Sequence, residues 1–135
     1  MYDNILVPLA LATEDDSVRP LEAVAKLASP GAKITFIHVV EDIPPTVAGY
    51  LPGDYIATIH KDRLAELARR VGEVKGAKVE VVEGNAATRI LDRAEKLGID
   101  CVVIASHRPG LRDWFLGSTA ARVVRHAQCS VLVLR

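Results

Sequence analysis

Five short strand-like runs, each separated from the next by a stretch of helical periodicity, constrain this chain more than any other feature. The runs are Ile5-Leu6-Val7, Lys33 to Val40, Val79 to Glu83, Ile99 to Ile104 and Ser130 to Arg135. The second is rich in β-branched residues and almost continuously apolar, the pattern of a strand covered on both faces. Pro8 closes the first at its carboxyl edge. From Asp16, Val18, Leu21, Val24, Ala25 and Leu27 recur at helical spacing, with Thr13, Asp15, Asp16 and Ser17 as capping candidates and Ser29-Pro30-Gly31 as the stop. A second helix is predicted from near Asp54 through Leu64, Leu67, Ala68 and Val71 to Gly72 or Gly76. A third carries Ile90, Leu91, Ala94 and Leu97 and stops at Gly98; a fourth starts at Gly117-Ser118-Thr119 and carries Val123 and Val124. Glu41 to Gly53 holds three prolines and two glycines, so it reads as a long connection at a strand end.

Strands alternating with helices predict an α/β fold: a doubly wound parallel five-stranded sheet, order 3-2-1-4-5, with helices on both faces, since right-handed crossovers place them there. At 135 residues the chain is expected to form one domain, 1–135. Phe, Trp and Tyr make up only 4% of it, so the core must be aliphatic.

In such sheets ligands bind at the carboxyl ends of strands where the winding reverses. Strands one and four flank that point, so Pro8, Leu9 and Ala10 face the same crevice as Ala105, Ser106 and His107. The loop Ser106-His107-Arg108-Pro109-Gly110 then leads to Leu116-Gly117-Ser118-Thr119 and an apolar helix. A helix start offers unpaired N–H groups and the positive end of the dipole, Gly117 admits close approach, and Ser118 and Thr119 add hydroxyl donors. An ordinary capped helix start has the same local pattern. The switch-point location favours phosphate binding.

Lys plus Arg equals Asp plus Glu at 17 each, so no global field argues for nucleic acid or an anionic membrane as partner. No run is long enough to cross a bilayer and the first residues lack a basic leader pattern, so a cytoplasmic protein is expected. Cys101 and Cys129 lack metal-ligand spacing and read as structural thiols; no metal site is expected. No catalytic set is assembled either: His107 and Ser118 show no paired acid at a diagnostic spacing, and His38 reads as a hydrogen-bonded core histidine. His60, His126, Lys61, Asp62, Arg63 and Glu66 read as solvated helix faces. Trp114 and Phe115 are expected to fold under the last helix, with a partner surface as the sharper alternative.

With these elements in place, the chain resembles, end to end, the universal stress protein family, whose fold is of the adenine nucleotide alpha hydrolase-like type. The resemblance is carried by Asn4-Ile5-Leu6-Val7-Pro8, Phe36-Ile37-His38-Val39, Gly84-Asn85-Ala86, Asp100 to Ile104, Leu116 to Ala120, and Val124 to Val133. It implies that Pro8, Leu9 and Ala10 line the adenine and ribose side with Val39 on the base, and that Ile104 and Ala105 continue that wall. Ser106, His107 and Arg108 would approach ribose and phosphates, with Gly110 on the same loop, and Gly117, Ser118 and Thr119 would hold the phosphates. The implied ligand is ATP, or AMP or ADP in its place, with Mg²⁺ as an accompanying ion, bound as a regulatory ligand in stress response. A slow ATPase or autophosphorylating protein with Ser118 or Thr119 as acceptor, and a nucleotide-free dimeric interaction module, are the alternatives.

Members of the ATP-binding class carry G-x-x-G-x9-G-[S/T]. Here Ala105 stands at the first glycine, the second is absent and the spacing is one residue shorter, so the loop resembles the shorter form G-S-x-x-P-x6-L-G-S. Ala10 stands where the family usually has Asp. Losing that carboxylate removes an anchor of about 1.5–3 kcal/mol, roughly ten- to a hundredfold in affinity. Arg108 and Arg112 are candidates to offset it by pairing with phosphate. The last strand, Val131-Leu132-Val133-Leu134, is predicted to be an apolar sheet edge, and the resemblance implies a homodimer through it.

Overall fold

The computed structural model describes residues 1–41, 44–106 and 116–135. Its elements are β1 (Tyr2–Pro8), a 3-10 turn (Glu14–Ser17), α1 (Val18–Leu27), β2 (Ala28–Val40), α2 (Pro45–Ala48), α3 (Tyr55–Val71), β3 (Ala77–Glu83), α4 (Ala86–Lys96), β4 (Cys101–Ala105), α5 (Ser118–His126) and β5 (Ser130–Leu134). All strand pairs are parallel, and the order is β3-β2-β1-β4-β5. That is the predicted α/β architecture, with β5 at an edge.

Strand alternation sorts the core into two layers. Ile5, Val7, Ile34, Phe36, Cys101 and Val103 face one side, where Val24 of α1 and Leu67 and Val71 of α3 cover them. Leu6, Ile37, Val102 and Ile104 face the other, under Ala87 and Ile90 of α4 and Ala120 and Val123 of α5. The chain winds outward from β1 through α1 and α3 on one face, then crosses to β4 and winds the opposite way through α4 and α5. The reversal therefore lies between β1 and β4.

Several expectations need correction. Ser29-Pro30-Gly31 follows directly on the end of α1 at Leu27, as a helix stop should, but β2 has already begun at Ala28, so these residues also lie within the strand. Those residues form an irregularity in β2, because Tyr2 pairs with Ala28 while Asn4 already pairs with Lys33, so β2 holds extra residues there and Gly31 turns the chain with φ +78°. The connection after β2 contains the one-turn helix α2, with Pro45 at its first position, where a proline lacks no bond the helix needs. Val18, Leu64 and Val124 fit the helical period yet are exposed. Cys129 is only partly buried.

The α4–β4 turn anchors the sheet's amino end. The Asp100 carboxylate accepts the N–H groups of Asp3 (2.9 Å) and Asn4 (3.1 Å), while Asn4 Nδ2 donates to the carbonyls of Leu97 (2.6 Å) and Gly98 (3.2 Å). This reciprocal clasp joins the start of β1 to the α4–β4 turn and fixes the two strands side by side.

Candidate functional site

The ladder between β1 and β4 pairs Ile5 with Cys101 and Leu6 with Val102, and its register runs no further. Beyond that point Val7 and Pro8 pair with Phe36 and Ile37 of β2, and Val103 to Ala105 with Leu132 to Leu134 of β5. The two central strands thus part at their carboxyl ends, as a doubly wound sheet requires when its connections leave in opposite directions. Ala10 and Ala105 stand exposed on either side of this gap. Leu9 and Ile104 point into the two core layers, so they reach the gap through backbone; Pro8 and Val39 are partly buried beside it.

On the β4 side the loop is closed at its base. Ser106 is buried; its N–H donates to the Leu134 carbonyl (2.7 Å) and its carbonyl accepts the Gly117 N–H (2.6 Å). Chain that leaves β4 therefore returns to the same point before α5 begins. The Gly117 N–H is spent on this pin, so what Gly117 brings to the helix start is its small size. The helical ladder of α5 starts with the Ala121 N–H on the Gly117 carbonyl, which leaves the first-turn N–H groups of Ser118, Thr119 and Ala120 to be met from outside the ladder. Ser118 is exposed and Thr119 partly so. His107, Arg108, Gly110, Arg112, Trp114 and Phe115 lie outside the described residues.

The β1 side is held by groups that the residue pattern did not connect to it. Leu9 donates its N–H to the Ile37 carbonyl (2.8 Å) and accepts at its own carbonyl from His38 Nδ1 (2.8 Å). Since a carbonyl only accepts, Nδ1 carries the proton and neutral His38 has Nε2 free of one. Asp16 accepts the N–H groups of Ala12 and Thr13, each at 2.9 Å, and the Thr13 hydroxyl at 3.0 Å, as its capping role suggested. Arg70 of α3, whose side chain is only 5% exposed, pairs with Glu66 through Nε (2.8 Å), donates through Nη1 to the Thr13 carbonyl, and places Nη2 3.5 Å from that of Leu11. Nothing in the helical pattern of α3 marks Arg70 for this role, because its partners lie 57 and 59 residues away.

Burial holds the His38 imidazole below its ordinary value of 6.5, the Leu9 bond opposes this, and Arg63 and Arg70 add to the lowering. The sign follows from proton counting: below pH 6.5 the unfolded chain takes up a proton that the folded one refuses, so stability falls as pH drops from 6.5 toward the folded value. Urea unfolding at pH 7.5 and 5.5 should show a smaller acid loss in His38→Asn than in the parent; equal losses would contradict it. Arg69, then Arg70, hold the Glu66 carboxyl at about 2, so it remains charged throughout this range. His60 is not merely solvated, since its Nε2 lies 3.7 Å from Glu83. Burial raises both Cys101 and Cys129, which makes neither an activated nucleophile. Among the described residues no group of three His, Cys, Asp or Glu is placed to hold a metal, and no helix is long and apolar enough to cross a membrane. A groove between the ends of α4 and α5, lined by Leu91, Glu95, Ile99, His126 and Cys129 among others, opens at the opposite end of the sheet.

An open α/β sheet with a crevice at its switch point and a helix start beside it defines a class of ligand-binding folds rather than one activity. The chain belongs to the universal stress protein family, whose model matches residues 1–135. It is 34% identical over 143 residues to universal stress protein A homolog 2 of Coxiella burnetii, covering 99% of this chain and 95% of that protein. A universal stress protein solved in complex with cAMP superposes with a TM-score of 0.62 at 17% identity, covering 99% of this chain and 97% of that one. The universal stress protein of Archaeoglobus fulgidus in complex with dAMP gives 0.60 at 15% identity, covering 99% and 98%. At these identities the likeness is one of fold.

Proposed function

We propose that this protein binds an adenine nucleotide as a regulatory ligand of a stress response, in the crevice between the ends of β1 and β4. The observation that carries the reading is the parting of β1 and β4 beyond Leu6 and Val102, with the start of α5 pinned beside the gap by Ser106 and Gly117. The base and ribose lie against Pro8, Leu9, Ala10, Val39, Ile104 and Ala105, and the phosphates meet the first turn of α5 with Ser118 and Thr119. His107, Arg108 and Gly110, outside the described residues, belong to the proposed ligand-binding set through the family resemblance alone. ATP is the proposed ligand, and Mg²⁺ enters on its phosphates, consistent with how that ion keeps its waters and leans on substrate oxygens. Complexes of family members with cAMP and dAMP support an adenine ligand.

Acid extraction of purified protein should release adenine nucleotide, and calorimetry with ATP, ADP and AMP, with and without Mg²⁺, should give saturable heat. Gly117 has φ −58° and ψ 154°, a conformation open to any residue, so Gly117→Leu adds bulk at the crevice without backbone strain. Loss of binding in a folded Gly117→Leu protein is the expected result; undiminished affinity would move the site elsewhere. No extracted nucleotide and no heat would favour the nucleotide-free interaction module, and ADP release over hours the ATPase.

The edge strand β5, through Val131, Leu132, Val133 and Leu134, is proposed to pair with its copy in a homodimer of this single-domain, cytoplasmic chain. Light scattering behind size exclusion should give twice the 14.6 kDa chain mass; a monomer at micromolar concentration would overturn this.

A further inference from the structure

The turn from Leu9 to Thr13 forms the β1 wall of the crevice, and side chains distant in sequence hold its backbone. His38 from β2 takes the Leu9 carbonyl, and Arg70 from α3 takes the Thr13 carbonyl and approaches that of Leu11. Asp16 takes the N–H groups of Ala12 and Thr13. Between these fixed points Ala10 and Ala12 are exposed, while Leu9 and Leu11 on either side of Ala10 are buried.

We infer that His38 and Arg70 are positioning residues: by clamping the carbonyls of Leu9 and Thr13 they fix how the Ala10 segment is presented to the ligand. A buried arginine needs compensation for its lost hydration. Arg70 finds part of it in Glu66 and part in turn carbonyls, which ties the turn to α3. The His38 donor sits on the strand next to β1, so it reads the position of Leu9 against the sheet itself. Both contacts come from the face of the sheet covered by α1 and α3, so ligand access from the crevice leaves them intact. The inference rests on the nucleotide reading for its consequence, though the clamp itself is a property of the ligand-free fold.

His38→Leu leaves the Leu9 carbonyl without its donor, whereas His38→Asn offers an amide N–H at similar reach. Arg70→Lys keeps the charge and cannot serve two carbonyls and Glu66 together. In 1H–15N spectra of the ligand-free protein, His38→Leu and Arg70→Lys should shift the Ala10, Leu11 and Ala12 amides, and His38→Asn should leave them near their parent positions. Calorimetry should show about a tenfold rise in Kd for ATP in His38→Leu, restored to within about threefold in His38→Asn. Unmoved amides in both disruptive variants would overturn the clamp, as would parent-like affinity in a folded His38→Leu. A parent protein that binds no adenine nucleotide would sink the functional reading instead, and the amide shifts would still decide the clamp. Should His38→Leu fail to fold, Arg70→Lys carries the same comparison.

Discussion

Gly76→Ala should destabilise the protein by about 2–5 kcal/mol, the sum of a left-handed backbone cost of about 1–2 and an overpacking cost of about 1–3. Gly76 ends the turn before β3 with φ +78°, and its carbonyl accepts the Ile34 N–H (3.1 Å), so it registers β3 against β2. A Cβ there would meet the Ala32 carbonyl oxygen at 2.3 Å, and backbone cannot swing aside as a side chain does. Gly98 separates the two effects. Its φ is +64° with nothing within 4 Å of a Cβ, so Gly98→Ala should show the backbone cost alone, about 1–2 kcal/mol. Urea unfolding of both variants measures the difference; equal losses would mean the Gly76 turn relaxes away from Ala32.

Phe36→Ala should cost about 3–5 kcal/mol, and Phe36→Leu about 1–1.5. Phe36 is fully buried on the central part of β2, in register with Val7 of β1 on one side and Val79 of β3 on the other. Leu67 and Val71 of α3 belong to the same core layer, in a sheet whose strands cannot close in without breaking their ladders, so a cavity would persist. At roughly 3–4 °C per kcal/mol for a chain of this size, the melting temperature should fall by about 10–20 °C. A drop below about 5 °C would mean that the layer collapses around the missing ring.

Much of this fold was legible because its signals are local. Val79 to Glu83 and Ile99 to Ile104 are short, rich in β-branched residues and bounded by turn residues, as strands are, and Ile90, Leu91 and Ala94 repeat at the period of a helix. Where local rules failed, a tertiary contact had overruled them. Pro30 and Gly31 follow the end of α1 as a helix stop should, but that they belong to β2 rests on the pairing of Tyr2 with Ala28, which no local signal carries. Val18, Leu64 and Val124 satisfy the helical period but are exposed, because how wide a stripe is covered depends on the neighbouring element, which periodicity does not encode.

The candidate site divides the same way. That β1 and β4 flank the crevice followed from the order expected of a doubly wound sheet, so Ala10, Ala105 and the start of α5 could be assigned to it from the residues alone. The loss of the Gly117 N–H to Ser106, by contrast, needed the loop's two ends to be seen meeting.

What the sequence by itself determined is the five strands, the four longer helices, the doubly wound parallel arrangement and the end of the sheet where a ligand would sit, because periodicity, turn residues and crossover handedness act over one element and its connections. Only the tertiary structure decided where the central ladder stops, which face each helix covers, and that His38 and Arg70 hold the Leu9–Thr13 turn across 29 and 57 residues of sequence. Those choices depend on which polar groups burial leaves in need of a partner, and that need arises only once the core has closed.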